Sequence, residues 1–286
     1  VDNALNASSK NKKKTIMVTA YIVLILFVLL DLIPLLWMIL CSFKSRTEIM
    51  TFPPAILPSE WRFDNYVKAW NAYGLSFTRM FLNTFLIVIP GTFFTVLSAT
   101  LAAYSFARIK FWGRDFLFAL FLLSLMIPDS VVLIPRFIFF KNLGFQDSLW
   151  PILIPMLFGY GLPVFLGRQF FMTIPQDLED SATIDGCGRL RAWANIFVPL
   201  SKPIIATITV FTFQSYYNDF LYPLVYINST NKFTIQLGLS AFRGEHTTRF
   251  DLLMAASVFC LIPILIIYMF AQKYFVEGIV TTGLKG

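Results

Sequence analysis

Crossing a bilayer as an α-helix takes roughly 20 consecutive apolar residues. Six stretches of this 286-residue chain meet that length, at about 16–40, 81–107, 116–140, 149–171, 203–227 and 252–270. With 57% hydrophobic, 17% aromatic and only 14% charged residues, the composition lies outside that of a soluble domain. The fold class that follows is all-α: a polytopic membrane protein with six transmembrane helices. Residues 1–15 are expected to form a cytoplasmic N-terminal segment and 16–286 a single transmembrane domain.

Charge sets the orientation. Lys10, Lys12, Lys13 and Lys14 precede the first span, and Arg108, Lys110 and Arg114 cluster after the second. Basic residues flanking spans favour the cytoplasmic side, which puts both termini in the cytoplasm. The polar start followed by a long apolar run reads as a retained signal anchor. The net charge of +7 gathers at the ends of apolar runs and not on one face of a soluble module, so no nucleic-acid partner is expected. Asp31, inside the first span, should face protein or water, either in a functional role or satisfied by a neighbouring helix beside Pro34.

Several interruptions stand out. Phe63, Tyr66, Val67 and Trp70 recur at helical spacing in the segment after the first span, predicting an amphipathic surface helix. Pro128, Asp129 and Pro135 break the third span, a feature tolerated where freed backbone groups meet protein or a water-filled path. Gly159, Gly161, Pro163 and Gly167 predict a kink and close helix contact in the fourth. In the fifth, Gln214, Ser215, Asn218 and Asp219 form a polar patch flanked by Tyr216, Tyr217 and Tyr222. Rings that stack on sugars beside amides and carboxylates that bond hydroxyls suit a carbohydrate, while a network of interhelical hydrogen bonds suits the same residues.

Bond-making chemistry is not indicated. The chain has no GxxxxGK[ST] phosphate loop and no HExxH, and its one histidine, His246, reads as a solvated loop residue. Cys41, Cys187 and Cys260 have no pairing or metal spacing. Asn6 and Asn228 begin glycosylation sequons that carry little weight.

The longest polar interruption on the expected cytoplasmic side is the loop 173–202. Thr173 and Gln176 are spaced as a capping box, with Pro175 in the first turn. Gly186 can take the left-handed conformation that ends a helix. Leu178, Ala182, Ile184, Leu190, Trp193 and Phe197 offer more apolar surface than a free loop keeps, which points to a docking site for a soluble partner or to a loop folded back on its bundle.

Glu179, Ala182, Asp185-Gly186, Leu190, Trp193, Ile196 and Pro199 carry a resemblance to the EAA loop of ATP-binding-cassette importer permeases, more narrowly those of maltose-type carbohydrate importers. Asp180, Ser181 and Cys187 depart from the signature. The resemblance implies a type I importer permease core working with a second homologous permease, two ATPase subunits and an extracytoplasmic sugar-binding protein. It implies a rigid helix pair seated in an ATPase groove, with Glu179 facing a basic residue of that subunit. ATP and magnesium would sit on the ATPase, leaving no cofactor in this chain. The terminal "GLKG" would reach the ATPase interface, and Gln214, Tyr217, Asn218, Asp219 and Tyr222 would line the sugar path.

Alternatives remain open. A phosphodiester would ask for a cation in the path, and the fifth span has none; a polyamine would ask for carboxylates, of which Asp31, Asp129 and Asp219 are available. An ion-coupled carrier or a membrane enzyme would not need the loop 173–202.

Overall fold

The computed structural model describes residues 2–74, 76–243 and 248–283. Its helices are α1 (Asp2–Ser42), α2 (Arg46–Met50), α3 (Asp64–Trp70), α4 (Phe77–Arg108), α5 (Arg114–Ser124), α6 (Asp129–Asn142), α7 (Trp150–Met156), α8 (Gly161–Phe171), α9 (Asp177–Ile184), α10 (Arg189–Ala192), α11 (Val198–Leu200), α12 (Lys202–Tyr217), α13 (Leu221–Tyr226), α14 (Ile235–Ser240) and α15 (Phe250–Gly283). Among the described residues no strand forms, only an isolated bridge between Arg243 and Thr248. His246 and the last three residues of the "GLKG" tail lie outside the described residues.

Four helical stretches are long and apolar enough to cross a membrane alone: Lys14–Ser42, Phe77–Arg108, Trp150–Phe171 and Phe250–Tyr274. The third expected span is α5 and α6, bent by 96°, and the fifth is reached through an 85° bend between Arg189–Leu200 and Lys202–Tyr226. The count is therefore six only if each bent pair is one span. Pro128 causes the first break, holding an extended backbone (φ −63°, ψ 136°) where a helix would continue.

The chain divides into two compact units. In the first, Val1–Ala69 with Phe242–Phe259, the end of α1 is fastened to α3. Asn65 Nδ2 donates to the carbonyls of Ser42 and Lys44, both at 2.9 Å. Ser42 Oγ and the Tyr66 hydroxyl pair at 2.6 Å, and the Phe43 ring packs among Trp61, Phe63 and Tyr66. The helix forms where the periodicity predicts it, but a different face is buried. Asn65 and Ala69 are covered, while Phe63 and Val67 are 65% and 69% exposed. Helix-end carbonyls need donors, and Asn65 supplies them, which turns the apolar pair outward. Asp31 is exposed on α1.

In the second unit, Trp70–Ala241 with Cys260–Gly286, α7, α8, α12 and α14 pack on α4. Its buried positions recur every three or four residues, from Phe77 through Met80, Thr84, Ile87, Gly91, Thr95 and Ala99 to Ala103 and Phe106. Small residues let α8 and the turn before it approach: a Cβ on Gly159 would lie 2.8 Å from Ala99 Cα, and one on Gly167 2.8 Å from Ala103 Cβ. The close contact predicted for these glycines is present.

Candidate functional site

Two features of the second unit combine polar groups with chain breaks. The first is the loop 173–202. Helix α9 begins with Asp177, Glu179 and Asp180 in its first turn, where carboxylates oppose the helix dipole favourably. No capping box forms: Thr173 Oγ1 donates back to the Phe170 carbonyl at 2.7 Å, and Gln176 makes no side-chain cap. At the other end Gly186 has φ +73°, its N–H donates to Thr183 O, and Cys187 N–H donates to Ala182 O. These two bonds form a Schellman motif that ends α9 as predicted. After α10 the chain widens into a π-helical turn over Trp193–Phe197 before α11.

The residues singled out in this loop fall into two groups. Asp185, Gly186, Leu190 and Pro199 are exposed, with Leu190 at 69% and neighbouring Ile184 at 86%. Ala182 is half-buried. Trp193 and Ile196 pack against a buried cluster of Ala103, Tyr104, Phe171, Ile174 and Phe197. Phe197, expected at the apolar surface, is fully buried, with its ring against Tyr104 and Phe171 at 4.8 and 5.6 Å. Glu179 turns inward: Oε1 accepts a 3.0 Å hydrogen bond from Tyr104, and Oε2 lies 3.9 Å from Arg108 Nε. The residue expected to face a partner's base is thus engaged by this chain's own arginine. Arg108 also donates to the Phe171 and Ile174 carbonyls and lies 5.1 Å from the Phe197 ring centre. Sequence reasoning missed Tyr104 and Arg108; Arg108, at the end of a span, was read only as a topological charge.

The second feature is a cleft of about 680 Å³ where three interrupted helices meet. Ser124, Leu125, Ile127, Pro128 and Asp129 come from the α5–α6 break, Met156, Tyr160 and Gly161 from the α7–α8 break, and Ser215, Tyr216, Asp219 and Tyr222 from the α12–α13 break. Arg136 of α6 completes the lining. Its guanidinium lies 4.2 Å from the Tyr222 ring centre and donates to the Pro151 carbonyl at 2.9 Å. Asp219 Oδ1 accepts the Tyr222 N–H at 3.2 Å. Tyr216 is tied to α4: Thr95 Oγ1 donates to the Met156 carbonyl, so its lone pair accepts from the Tyr216 hydroxyl at 2.8 Å.

Of the five residues expected on a path, Asp219 and Tyr222 line this cleft. Gln214 is exposed elsewhere, and exposed Asn218 accepts from Gln236 at 3.2 Å. Tyr217 is 1% exposed, stacks on Phe213 and donates to the Cys260 carbonyl at 3.0 Å. It is a core residue, because the helix turns it toward α15 and away from the break. Arg136 was missed, although a lone arginine inside an apolar span is itself a signal. The cation that the fifth span lacks is supplied by the third.

Broken apolar helices converge on a polar cleft, an arrangement that suits a membrane transport subunit. The chain belongs to the family of binding-protein-dependent transport system inner membrane components, which matches residues 95–281. It is 33% identical over 270 residues to the probable ABC transporter permease protein YurM of Bacillus subtilis, covering 94% of this chain and 88% of that one. It is 32% identical to the arabinooligosaccharides transport system permease protein AraQ of the same organism, covering 90% and 92%. Its fold matches a chain of a bacterial ABC transporter that imports the acidic polysaccharide alginate, with TM-score 0.76, 22% identity and coverage of 92% and 97%. The type I importer permease fold and the place of the chain in a binding-protein-dependent ABC importer follow.

Proposed function

We propose that this chain is the permease subunit of an ATP-driven importer of sugars or oligosaccharides, and that it couples closure of a partner ATPase to alternating access. The observation that carries the reading is the cleft at the three helix breaks, where tyrosine rings, carboxylates and hydroxyls line one space, the chemistry a sugar requires. AraQ, a relative named for arabinooligosaccharides, supports the same substrate class.

In this reading residues 16–286 form one transmembrane domain and both termini are cytoplasmic. The partners are a second homologous permease, two ATPase subunits that hold ATP and magnesium, an extracytoplasmic sugar-binding protein, and the membrane lipid around the spans. The exposed edge of the loop, Leu190 with Asp185, Gly186 and Pro199, meets the ATPase beside half-buried Ala182. Glu179, Trp193 and Ile196 fix the loop to the bundle. Helix α4 then joins the two features, because Tyr104 and Arg108 hold the loop while Thr95 holds the cleft wall. From Thr95 to Tyr104 is roughly 14 Å along a helix, so a tilt of α4 imposed at the loop moves Tyr216 and Met156. This is alternating access driven by differential contacts in two states.

The test is uptake of labelled oligosaccharides by the complete complex in proteoliposomes, with its binding protein and ATP. ATP-dependent accumulation of at least one sugar is the expected result; a complex that hydrolyses ATP yet accumulates no sugar of any length overturns the reading.

A further inference from the structure

The lining of the cleft narrows the class of sugar, an inference that rests on the sugar reading above. Two buried polar atoms there have no hydrogen-bond partner among the described residues: Oδ2 of Asp219 and Nε of Arg136. One is an acceptor and the other a donor. A buried polar atom without a partner carries a desolvation cost that a ligand can relieve. A hydroxyl group donates and accepts at once, so it satisfies either atom. An ammonium group has no lone pair for Arg136, and a carboxylate or phosphate has no proton for Asp219.

Charge points the same way. The cleft is lined by one cation, Arg136, and two carboxyl groups, Asp129 and Asp219. The guanidinium is already occupied by the Pro151 carbonyl and the Tyr222 face. A sugar acid entering this wall meets two carboxyl groups and one guanidinium. Like charges set against a ligand are how a site rejects it. Tyr222, half-buried and held by Arg136 on one side and by the Asp219 carboxylate through its own N–H, offers a fixed ring for the apolar face of a sugar. The volume, about 680 Å³, falls in the range of small-molecule sites.

We propose that this chain itself contacts the substrate, and that its cleft takes a neutral sugar ring, with Tyr222 as the stacking platform, Asp219 as the acceptor for a sugar hydroxyl and Arg136 as the residue that positions Tyr222 and donates to a second oxygen. The two carboxyl groups of the lining disfavour sugar acids, and Arg136 disfavours polyamines.

The experiment uses the complete importer with its binding protein in proteoliposomes and five labelled probes: arabinotriose, maltotriose, diacetylchitobiose, trigalacturonate and spermidine. One or more of the three neutral sugars should be carried, and neither of the charged probes. Asp219→Ala should raise the KM for that sugar by about tenfold, the equivalent of one lost hydrogen bond to a charged group. Tyr222→Leu should raise it comparably, whereas Tyr222→Phe, which keeps the ring and Asp219, should stay within about twofold of the parent. The Phe and Leu pair carries the test if Asp219→Ala does not assemble. If a neutral sugar is carried and Tyr222→Leu leaves its KM within about twofold of the parent, the cleft is not the sugar site, although the importer reading stands. Preferential carriage of trigalacturonate or spermidine overturns the neutral-sugar assignment. Carriage of none of the five removes this proposal together with the sugar reading it rests on.

Discussion

Glu179 of α9 and Arg108 at the end of α4 face each other across 3.9 Å, with 21% and 10% of their side chains exposed, and the Tyr104 hydroxyl bonds the other glutamate oxygen at 3.0 Å. Arg108 also holds the Phe171 and Ile174 carbonyls, so one guanidinium gathers the end of α8, the entry to the loop and α9. A loop meant to transmit force has to be tied to what it moves, and these are the ties. Glu179→Ala removes both contacts while leaving Arg108 on its carbonyls. The expected outcome is a drop in sugar transported per ATP hydrolysed on the order of fivefold to tenfold, about 1–1.4 kcal/mol of lost coupling, with unchanged amounts in the membrane. Glu179→Gln, which still accepts from Tyr104, should fall less. The check is paired measurement of uptake and ATP hydrolysis in proteoliposomes; equal ratios in the parent and the Ala variant would show that Glu179 does not couple.

Gly186 and Gly159 are both required, for different reasons, and the same substitution separates them. At Gly186 a Cβ would meet nothing within 4 Å, but the backbone sits at φ +73°. Gly186→Ala should therefore cost only the left-handed strain, about 1–2 kcal/mol, felt at the end of α9. At Gly159 the backbone conformation is open to any residue, but a Cβ would lie 2.8 Å from Ala99 Cα, so α4 and the turn between α7 and α8 must separate. Gly159→Ala should lower the thermal midpoint of the purified complex well beyond Gly186→Ala, while Gly186→Ala should affect coupling more than stability. Melting curves alongside uptake decide it, and the reverse order would refute the assignment.

Asp147, between α6 and α7, sits at φ +46° and gathers the chain after α13. It accepts from Ser229 Oγ at 2.5 Å, from the N–H groups of Asn228 and Ser229 at 2.9 Å each, and from Lys232 Nζ at 2.9 Å. The Ser229 hydroxyl, with these other donors, holds the Asp147 carboxyl well below the usual carboxylate range. A depressed folded-state pKa stabilises the protein above the unfolded value, near 3.9, and that contribution fades as pH falls through the folded value. The stability difference between the parent and Asp147→Asn should therefore be constant from neutral pH down to about pH 5 and shrink below about pH 4. Thermal midpoints of both proteins across that range measure it; a difference that grows on acidification would contradict the sign.

Length and apolarity made the spans legible, and residue type made the break at Pro128, the close approach of Gly159 and Gly167, and the stop at Gly186 legible, since each depends on local chemistry that the residue carries with it. Facing was not legible. In a helix apolar all round, lipid, core and cleft accept the same aromatic residues, so nothing in "FQSYYNDFLYP" distinguishes Tyr217 in the core from Tyr222 at the cleft. Phe197 looked like docking surface for the same reason and is buried against Tyr104. Asn65 went unnoticed because a polar residue in a short helix reads as solvated, until the end of α1 turns out to need its donors. Arg136 was visible as a lone arginine in the third span, but its meeting with Asp219 is a tertiary fact set by the two helix breaks.

Tyr217 gives the sharpest contrast with its neighbour at the cleft. Its ring is buried between Phe213 and Phe85, and its hydroxyl donates to the Cys260 carbonyl at 3.0 Å. Tyr217→Phe keeps the ring and loses one buried hydrogen bond, the one to the Cys260 carbonyl. The expected cost is about 1 kcal/mol of stability with no change in the KM for sugar. Tyr217→Ala empties a buried aromatic volume and should cost about 3–5 kcal/mol, seen as loss of assembled complex. Tyr222→Leu should show the opposite pattern, a near-normal melting point and a raised KM. Measuring both quantities for all three variants separates core from cleft: a KM effect in Tyr217→Phe, with the melting point unchanged, would put Tyr217 on the path after all.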